Sequence, residues 1–207
     1  MAQYFQVHPV NPQQRLIRQA VEIIRRGGVI AYPTDSSYAL GCHIGDKEAM
    51  ERIRRIRRVD KNHNFTLVCR DLSEVAQYAR VGNADYRLLK ANTPGPYTFI
   101  LPATREVPRR LQHPKRKTIG LRVPDHVIAQ ALLAELNEPL MSSTLMIPGD
   151  DLPLSDPEDI RRQLEHDVDL VVDGGFCGLE PTTVVEIEAG RATLTRQGKG
   201  DNARFTV

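Results

Sequence analysis

The feature that most constrains the fold is the alternation of helix start signals with short apolar runs. Asp46 begins an amphipathic segment that continues through Ile56, and Phe65 to Cys69 follows as an apolar strand before Asp71 begins the next helix. Elements that alternate in this way pack as layers around one core. The pattern predicts an α/β chain of the α+β type, with helices on a twisted sheet of parallel and antiparallel strands.

The same signals place the remaining elements. Asn11 begins the first helix, Asn83 begins a fourth, another runs from about Asp125 to Leu136, and Ser155 is the expected cap of the last. Strands are expected over short apolar or alternating segments, namely Val29 to Ala31, Tyr97 to Leu101, Thr118 to Val123, Pro139 to Ser143, Val168 to Val172, Thr183 to Ile187 and Ala192 to Arg196.

Length and composition favour a single domain over residues 1–207. A chain of 207 residues can bury one substantial core, and no Ser/Gly-rich linker divides it. The N-terminal segment has no basic leader with an apolar centre, and no later run approaches a membrane span. We therefore expect a cytoplasmic protein without a membrane partner. The net charge of +2 does not by itself require a nucleic-acid partner.

The cysteines indicate a reduced chain. Cys42, Cys69 and Cys177 are odd in number and unrelated in spacing, and no CxxC pair or metal-ligand pattern is present. We expect no disulfide framework and no metal site.

The second helix carries a dense run of arginines. At 100° per residue, Arg54, Arg55 and Arg58 fall on the side away from the apolar residues and are expected to be solvated. Arg57 falls about 40° from Ile53, on the apolar side, so it is expected to point into the fold or to lie beyond the helix end. A guanidinium directed inward needs an anion, either a ligand or the carboxylate of a structural ion pair.

The segment YPTDSSYALG, residues 32 to 41, follows the apolar run that ends at Ala31. It admits two interpretations. Pro, Asp and Ser are typical of a turn that satisfies its own backbone. Short hydroxyls at the carboxyl end of a strand are also typical of a ligand loop in open α/β sheets.

Several blocks of the chain together resemble the YrdC/YciO family. YPTDSSYALG is similar to the family signature PTDTVYGLG, and further similar blocks follow in the family's order over nearly the whole chain. Within the family, the chain resembles the YciO branch. The matching blocks are Arg55 to Arg57, Pro94 to Leu101, Gly120 to His126, Val172 to Gly175, Pro181 to Val185 and Arg196 to Gly198.

The resemblance implies a fold and an activity. The fold is a twisted mixed sheet with a deep, positively charged cleft. The characterised members are threonylcarbamoyl-AMP synthases, which condense L-threonine, bicarbonate and ATP for the modification of tRNA. ATP with Mg²⁺ is therefore a possible substrate, and no tightly bound cofactor is expected. A nucleotide or a phosphate anion is the expected occupant of the cleft.

The resemblance also implies site residues. Those for the small substrate are Thr34, Tyr38, Arg57, His63, Ser142, Thr144 and Thr182. Those for the nucleotide phosphates are Arg55, Arg57, Arg122, Thr144 and Arg196.

Three positions depart from the pattern of active synthases, which carry Lys-x-Arg and Ser-x-Asn. Arg55 stands in the Lys position, Thr144 in the Ser position and Met146 in the Asn position. A thioether cannot donate a hydrogen bond to a phosphate oxygen, so Met146 removes an oriented donor from the site. Synthase activity is expected to be weak or lost while the pocket survives.

Three functions remain open on the sequence. The first is a threonylcarbamoyl-AMP synthase or a variant that hydrolyses the same adenylate. The second is a protein that binds double-stranded RNA or tRNA, for which the acid-free run Arg109, Arg110, Lys115, Arg116 and Lys117 is the candidate surface, although such runs are usually only solvated. The third is a paralogue that uses another small substrate in the same cleft.

Overall fold

The computed structural model describes residues 1–203 and 205. All of its strands join one ten-stranded sheet. The strands are β1 (Gln3–Gln6), β2 (Ile30–Tyr32), β3 (Ala39–His43), β4 (Thr66–Val68), β5 (Tyr97–Pro102), β6 (Thr118–Arg122), β7 (Leu140–Thr144), β8 (Leu170–Asp173), β9 (Thr183–Glu188) and β10 (Arg191–Arg196). The α-helices are α1 (Gln14–Arg25), α2 (Lys47–Arg57), α3 (Leu72–Tyr78), α4 (Asn83–Asn92), α5 (Val127–Leu136) and α6 (Pro157–Leu164). A short 3₁₀ helix spans Arg109–Leu111.

The sheet is mixed, as the alternation of elements predicts. Its strand order is β1-β8-β2-β3-β7-β4-β6-β5-β9-β10. Neighbours pair in parallel at β1/β8, β2/β8, β4/β6 and β5/β9, and the other pairs are antiparallel. The expected single-domain α/β fold is confirmed.

Helix caps account for several of the boundaries. Asp46 and Asp71 accept hydrogen bonds from the backbone N–H groups three residues ahead, as expected for N-caps. The predicted cap Ser155 is wrong by one residue, because Asp156 takes this role and Pro157 occupies the first turn. The first helix begins at Gln14 rather than at Asn11, and Gln13 makes no side-chain cap.

Two strands have no counterpart in the sequence-based assignment. β1 lies at the sheet edge beside β8. β3 begins within the YPTDSSYALG segment, at Ala39, and pairs antiparallel with β2, with Tyr32 opposite Ala39. Residues 33–38 are thus the connection of a hairpin.

The two faces of the sheet are covered differently. One core cluster includes Ile53 of α2, Leu67, Phe99 and Leu121, and belongs to one face. On the other face, α1 and α5 pack on β2, β3 and β8 in a second cluster. The part of this second face that β7, β4, β6 and β5 form lies beyond α1 and α5, and it carries the cleft described below. No helix among the described residues is both long and apolar enough to cross a membrane.

Candidate binding cleft

A cleft of about 460 Å³ lies on this part of the sheet. Its floor consists of alternate residues of neighbouring strands, because successive side chains of a strand point to opposite faces. One row crosses four strands, in which Ser142 pairs with Thr66, Thr66 with Gly120 and Gly120 with Ile100. The volume is in the range of sites for small molecules.

Gly120 leaves space for a ligand above the floor of the cleft because it has no side chain. A Cβ atom placed there would approach Thr66 Oγ1 and Thr98 Cγ2 at 3.3 Å each. A larger side chain would project into the cleft, so the position favours glycine for a reason of space.

The lining of the cleft is basic. It includes Arg57, Arg116, Arg122 and Arg196, and neither Asp nor Glu occurs among the described residues that line it. This agrees with the positively charged cleft that the family resemblance implies. The four guanidinium groups differ, however, in their partners.

Arg57 is the last residue of α2, and its half-buried side chain enters the cleft as its helical position predicts. Nη1 donates to Ser143 Oγ at 2.6 Å, and His63 Nε2 lies 3.3 Å from the same nitrogen. Nε is buried without a hydrogen-bond partner. No carboxylate of the described residues pairs with it, and burial lowers the pKa of the Arg57 guanidinium. The group is thus a desolvated cation that lacks an anion.

His63 adjoins this cation. Burial, followed by the charges of Arg57 and Arg54, lowers the pKa of His63 to about 4. The imidazole is neutral at pH 7. Its Nε2 also lies 3.4 Å from Ser143 Oγ, so it can exchange hydrogen bonds without adding charge.

Arg196, at the end of β10, lies on the β9 side of the cleft. Nη2 donates to the carbonyl oxygen of Thr182 at 2.9 Å and lies 3.3 Å from its Oγ1. Burial lowers the pKa of Arg196. Within residues 1–203 and 205 this guanidinium has no ion pair, so it too is available to an anion. Thr182 lines the cleft and bonds Thr98 at 2.8 Å.

Arg122 differs from both. Its Nη2 is ion-paired with Asp35 Oδ1, and its Nη1 donates to Ser36 Oγ at 3.2 Å. Both side chains of the ion pair are more than nine-tenths buried. The predicted phosphate ligand is therefore placed in the cleft wall with its charge already balanced.

The loop at residues 33–38 is organised mainly as a turn. Thr34 Oγ1 donates to the carbonyl oxygen of Ser37 at 2.6 Å and lies within 3.3 Å of the N–H groups of Ser36 and Ser37. Tyr38 is in the core, and its hydroxyl donates to Gly175 O at 2.8 Å. Neither Thr34 nor Tyr38 lines the cleft, whereas Ser37 does. The turn interpretation describes these hydroxyls better than the ligand interpretation.

Two predicted site residues of β7 and one residue just beyond it reach the cleft. Ser142, Thr144 and Met146 all line the cleft. Ser142 Oγ is already engaged, since it donates to Leu40 O at 3.0 Å and bonds the Tyr32 hydroxyl at 2.8 Å. The Met146 thioether thus occupies lining where an amide would offer a donor.

Two arginines of α2 each depart from one expectation: Arg54 from helical periodicity, and Arg55 from the phosphate-binding role that the resemblance implies. Arg54, expected to be solvated, is buried, with its guanidinium 5.1 Å from the ring centroid of Phe65. The aromatic ring supplies a partner that helical periodicity does not reveal. Arg55 is exposed, as its position on the helix predicts, and it does not line the cleft. The structure does not bring it together with the other predicted phosphate ligands.

The basic run from Arg109 to Lys117 borders the cleft through Leu111, His113 and Arg116, and Arg116 is its one cation among the described lining residues. Arg109, Arg110, Lys115, Arg116 and Lys117 are all exposed. The run is free of acids in sequence but not in space, because Arg116 Nη1 contacts Glu186 Oε1 of β9 at 2.6 Å. Arg110 Nη2 donates to the carbonyl oxygen of Ile44.

Sequence reasoning missed several lining residues, including Ser37, Thr98, His113 and Ser143. Ser143 is the most informative, because it holds Arg57. The run of Ser142 to Thr144 is a signal that could have found it, although strand alternation alone would assign Ser143 to the opposite face from Ser142.

Comparison with known protein families agrees with this mixed sheet and its basic cleft. The family model Sua5_yciO_yrdC, described as "Telomere recombination", matches residues 22–198. The chain therefore belongs to the Sua5/YciO/YrdC family, and the resemblance drawn from its motifs is confirmed.

The chain is similar over its whole length to YciO proteins. The chain is 60% identical over 205 residues to "Uncharacterized protein YciO" of Escherichia coli K12, covering 99% of this chain and 100% of the relative. The crystal structure of E. coli YciO superposes with a TM-score of 0.95 at 59% identity, with 99% and 100% of the two chains covered.

Synthases are more distant relatives. A threonylcarbamoyl-AMP synthase of Chromobacterium violaceum is 33% identical over 185 residues, which cover 88% of this chain and 94% of the synthase. The crystal structure of P. abyssi Sua5 complexed with L-threonine has a TM-score of 0.86 at 24% identity. It covers 94% of this chain and 57% of Sua5, and at this identity the likeness concerns the fold alone.

Proposed function

We propose that the cleft binds an adenylate of the threonylcarbamoyl-AMP class through Arg57 and Arg196. The observation that carries this proposal is the state of Arg57. Its guanidinium is half-buried, has an unpartnered Nε and no carboxylate, and lines a cleft without acids among the described residues. A buried cation is stabilised when an anion pairs with it, and a phosphate or carboxylate fits the planar fork.

The shape and composition of the cleft support a ligand that has both an apolar part and a polar, anionic part. Leu111, Ile100 and Val184 provide apolar lining, and Arg57, His63 and Ser143 form a polar corner. A nucleoside monophosphate joined to a small amino-acid derivative combines an apolar base with anionic and hydroxyl groups. The family's synthases, which share the fold and a third of the sequence, are named for such a compound.

The departure at Met146 supports a weak synthase. Synthesis from ATP develops negative charge at the α-phosphate, and a preorganised amide donor there contributes about 10²–10³-fold to turnover. Met146 offers no such donor. The described lining residues also include no carboxylate to bind Mg²⁺ directly, so the ion would enter with the phosphates of its nucleotide.

The experiment is a product assay with ATP, L-threonine, bicarbonate and Mg²⁺, run beside the C. violaceum synthase. We expect ATP to bind in calorimetry while pyrophosphate release is at least about 10²-fold slower than for the synthase. A second arm supplies preformed threonylcarbamoyl-AMP and follows its breakdown. Rates equal to the synthase would overturn the weakened-synthase account, and absence of binding by ATP and by the adenylate would overturn the site.

Binding of double-stranded RNA or tRNA is a second candidate. The favouring observation is that the basic run of residues 109–117 borders the same cleft, with Arg116 in the lining and Lys115 and Lys117 exposed beside it in the sequence. A phosphate backbone could then contact the run and the cleft arginines together. This function predicts steep salt dependence and little sequence preference.

A further inference from the structure

His113 lies in the loop that leads from the 3₁₀ helix into β6. Its backbone N–H donates to the carbonyl oxygen of Thr118, the first residue of β6, at 2.8 Å. The loop is thus anchored to the sheet at this point. The side chain of His113 is half-buried and lines the cleft. The anion site proposed above does not yet include this imidazole.

Hydrogen bonds inside the loop determine which ring nitrogen of His113 is available to a ligand. Nδ1 accepts the backbone N–H of Lys115 at 3.3 Å and that of Arg116 at 3.1 Å. A ring nitrogen that accepts hydrogen bonds carries no proton, so we assign the proton of the neutral ring to Nε2. Within residues 1–203 and 205 no protein group hydrogen-bonds to Nε2. The lining therefore includes an N–H donor that the fold does not use.

The strand topology brings His113 to the same end of the cleft as Arg57. β4 and β6 are parallel neighbours, and Thr66 at the start of β4 pairs with Gly120 near the start of β6. His63, whose Nε2 lies 3.3 Å from Arg57 Nη1, precedes β4 by three residues. Because parallel neighbours begin at the same edge of a sheet, the loop of His113 borders the corner that Arg57 and His63 form.

A second histidine in the same kind of turn shows what is specific to His113. Each of the two precedes a proline, and His8 Nδ1 accepts the backbone N–H of Val10 at 3.2 Å and that of Asn11 at 3.0 Å. His8 is exposed and does not line the cleft. The hydrogen bonds to Nδ1 are therefore a local property of both turns, whereas the ring of His113 alone of the two lies in the cleft lining.

Position 146 lies at this end of the cleft as well. β7 is antiparallel to β4, with Ser142 opposite Thr66, so Met146, two residues beyond β7, lies towards the start of β4. The thioether offers no donor there. His113 offers one from the β6 side. A donor that is oriented before the ligand arrives needs no rearrangement on binding.

We propose that His113 is a ligand-binding residue whose Nε2–H donates to the phosphate group of the adenylate at the end of the cleft that Arg57 enters. The inference rests on the proposed function, since it adds a donor to the same anion site. The imidazole binds the phosphate of the ground state, while the thioether at position 146 leaves synthesis from ATP slow. The two are compatible because ground-state binding and stabilisation of charge that develops during the reaction are separate contributions.

The test compares AMP with adenosine, which lacks the phosphate, by calorimetry at low salt without Mg²⁺. Asn in place of His113 keeps an acceptor for the N–H groups of the turn but has no donor at the position of Nε2. We expect His113→Asn to bind AMP about tenfold more weakly, the lower end for a hydrogen bond to a charged group, and to bind adenosine as wild type does. A role in support of the loop alone would not separate the two ligands.

His8→Asn is the matched control, because it makes the same substitution in the same kind of turn away from the cleft. Its affinities for AMP and adenosine should equal those of wild type. Nitrogen NMR of the wild-type protein is an independent measurement. Without ligand the proton of the neutral His113 ring should be on Nε2, and the Nε2 resonance should shift with AMP but not with adenosine.

Three results would overturn the inference. The first is an equal loss of affinity for AMP and adenosine, and the second is an AMP affinity of folded His113→Asn within about twofold of wild type. The third is a neutral ring with its proton on Nδ1. If His113→Asn does not fold, the NMR titration decides, and an Nε2 resonance that saturating AMP leaves unmoved overturns the inference.

Two further outcomes separate the inference from the proposed function. If wild type does not bind adenosine detectably, inorganic phosphate replaces it as the second ligand. The variant should then bind phosphate about tenfold more weakly, and an unchanged phosphate affinity overturns the inference. If wild type binds AMP but His113 fails these tests, the proposed function stands without it. If wild type binds neither ATP nor AMP nor the adenylate, the proposed function fails as well.

Discussion

Two corners of the same cleft contain an arginine, and they differ in what surrounds the guanidinium. At the end of α2, the Arg57 guanidinium hydrogen-bonds to a serine hydroxyl and a neutral histidine, and no carboxylate of the described residues pairs with it. At the end of β6, Arg122 is ion-paired with Asp35. The difference shows that a basic lining does not by itself identify anion ligands. The residues to test are the cations that the fold buries without a carboxylate.

The largest expected effect is a gain of synthase turnover when the residues of active synthases are restored at Met146 and Thr144. We expect Met146→Asn with Thr144→Ser to raise synthase turnover by up to about 10²-fold, because the amide restores a donor where charge develops. Adding Arg55→Lys should contribute little further, since Arg55 is exposed and outside the cleft lining. Pyrophosphate release measures the gain. A folded variant without any gain would place the defect elsewhere, and the loop around His63 would be the next segment to test.

Removal of the unpaired cation gives the next largest effect. Arg57→Ala should weaken ATP or AMP binding by about 10- to 150-fold, the range of a charged hydrogen bond of about 1.5–3 kcal/mol. Arg87→Ala, at an exposed position of α4, is the matched control and should bind as wild type does. Calorimetry measures the nucleotide affinity of both variants. Equal affinities for both variants would remove the basis of the comparison between the two corners.

The basic run of residues 109–117 provides a test with RNA. If residues 109–117 contact a phosphate backbone, Lys115, Arg116 and Lys117 changed together to Ala should flatten the log–log salt slope by about two to three units. The pairing of Arg116 with Glu186 favours the lower end of this range. A triple Ala variant at the exposed Arg15, Arg18 and Arg26 of the α1 region is the control. An unchanged slope in the triple variant at Lys115, Arg116 and Lys117 would exclude this basic run from an RNA interface.

Two histidines report the charge of the two corners, with a smaller expected effect. The pKa of His63 is about 4, and burial also lowers the pKa of His126, which lies near Asp35 and Arg122. Sulfate on Arg57 should offset its repulsion and raise the pKa of His63, while His126 should be unaffected. NMR titration measures both. A change in the pKa of His126 alone would place the anion beside Arg122 instead of beside Arg57 and would contradict this prediction.

The lowered pKa of His63 also predicts how the stability of the fold depends on pH. Between pH 6.5 and 4 the His63 imidazole is protonated in the unfolded chain and neutral in the folded chain. Its contribution to the free energy of unfolding is therefore fully present above pH 6.5 and is lost as the pH falls towards 4. The urea midpoint of wild type should fall more steeply across this window than that of His63→Gln. Parallel pH profiles for the two proteins would show that His63 is not desolvated as described.

Local sequence signals predicted the residues that depend on local geometry. The position of Arg57 follows from helical periodicity, and Asp46 and Asp71 follow from the hydrogen bonds that begin a helix. The short edge strand β1 and the hairpin strand β3 have weaker signals, because small and polar residues such as Gly41 and Gln3 interrupt the apolar pattern.

Pairing across the sheet could not be predicted in the same way. Asp35 and Arg122 are 87 residues apart, and Arg116 and Glu186 are 70 apart, so only the strand order brings each pair together. The burial of Arg54 against Phe65 and of Tyr38 in the core likewise depends on packing between elements. The family resemblance named the cleft correctly, but it did not reveal which of its arginines were already paired.

The most direct test of the central claim is a crystal structure of the protein soaked with tungstate or with AMP. The unpaired arginines predict an anion within about 3 Å of the terminal nitrogens of Arg57 and near Arg196, with the Asp35–Arg122 pair intact. Anion density on Arg122 with Asp35 displaced, or none at Arg57 at saturating concentration, would contradict the account.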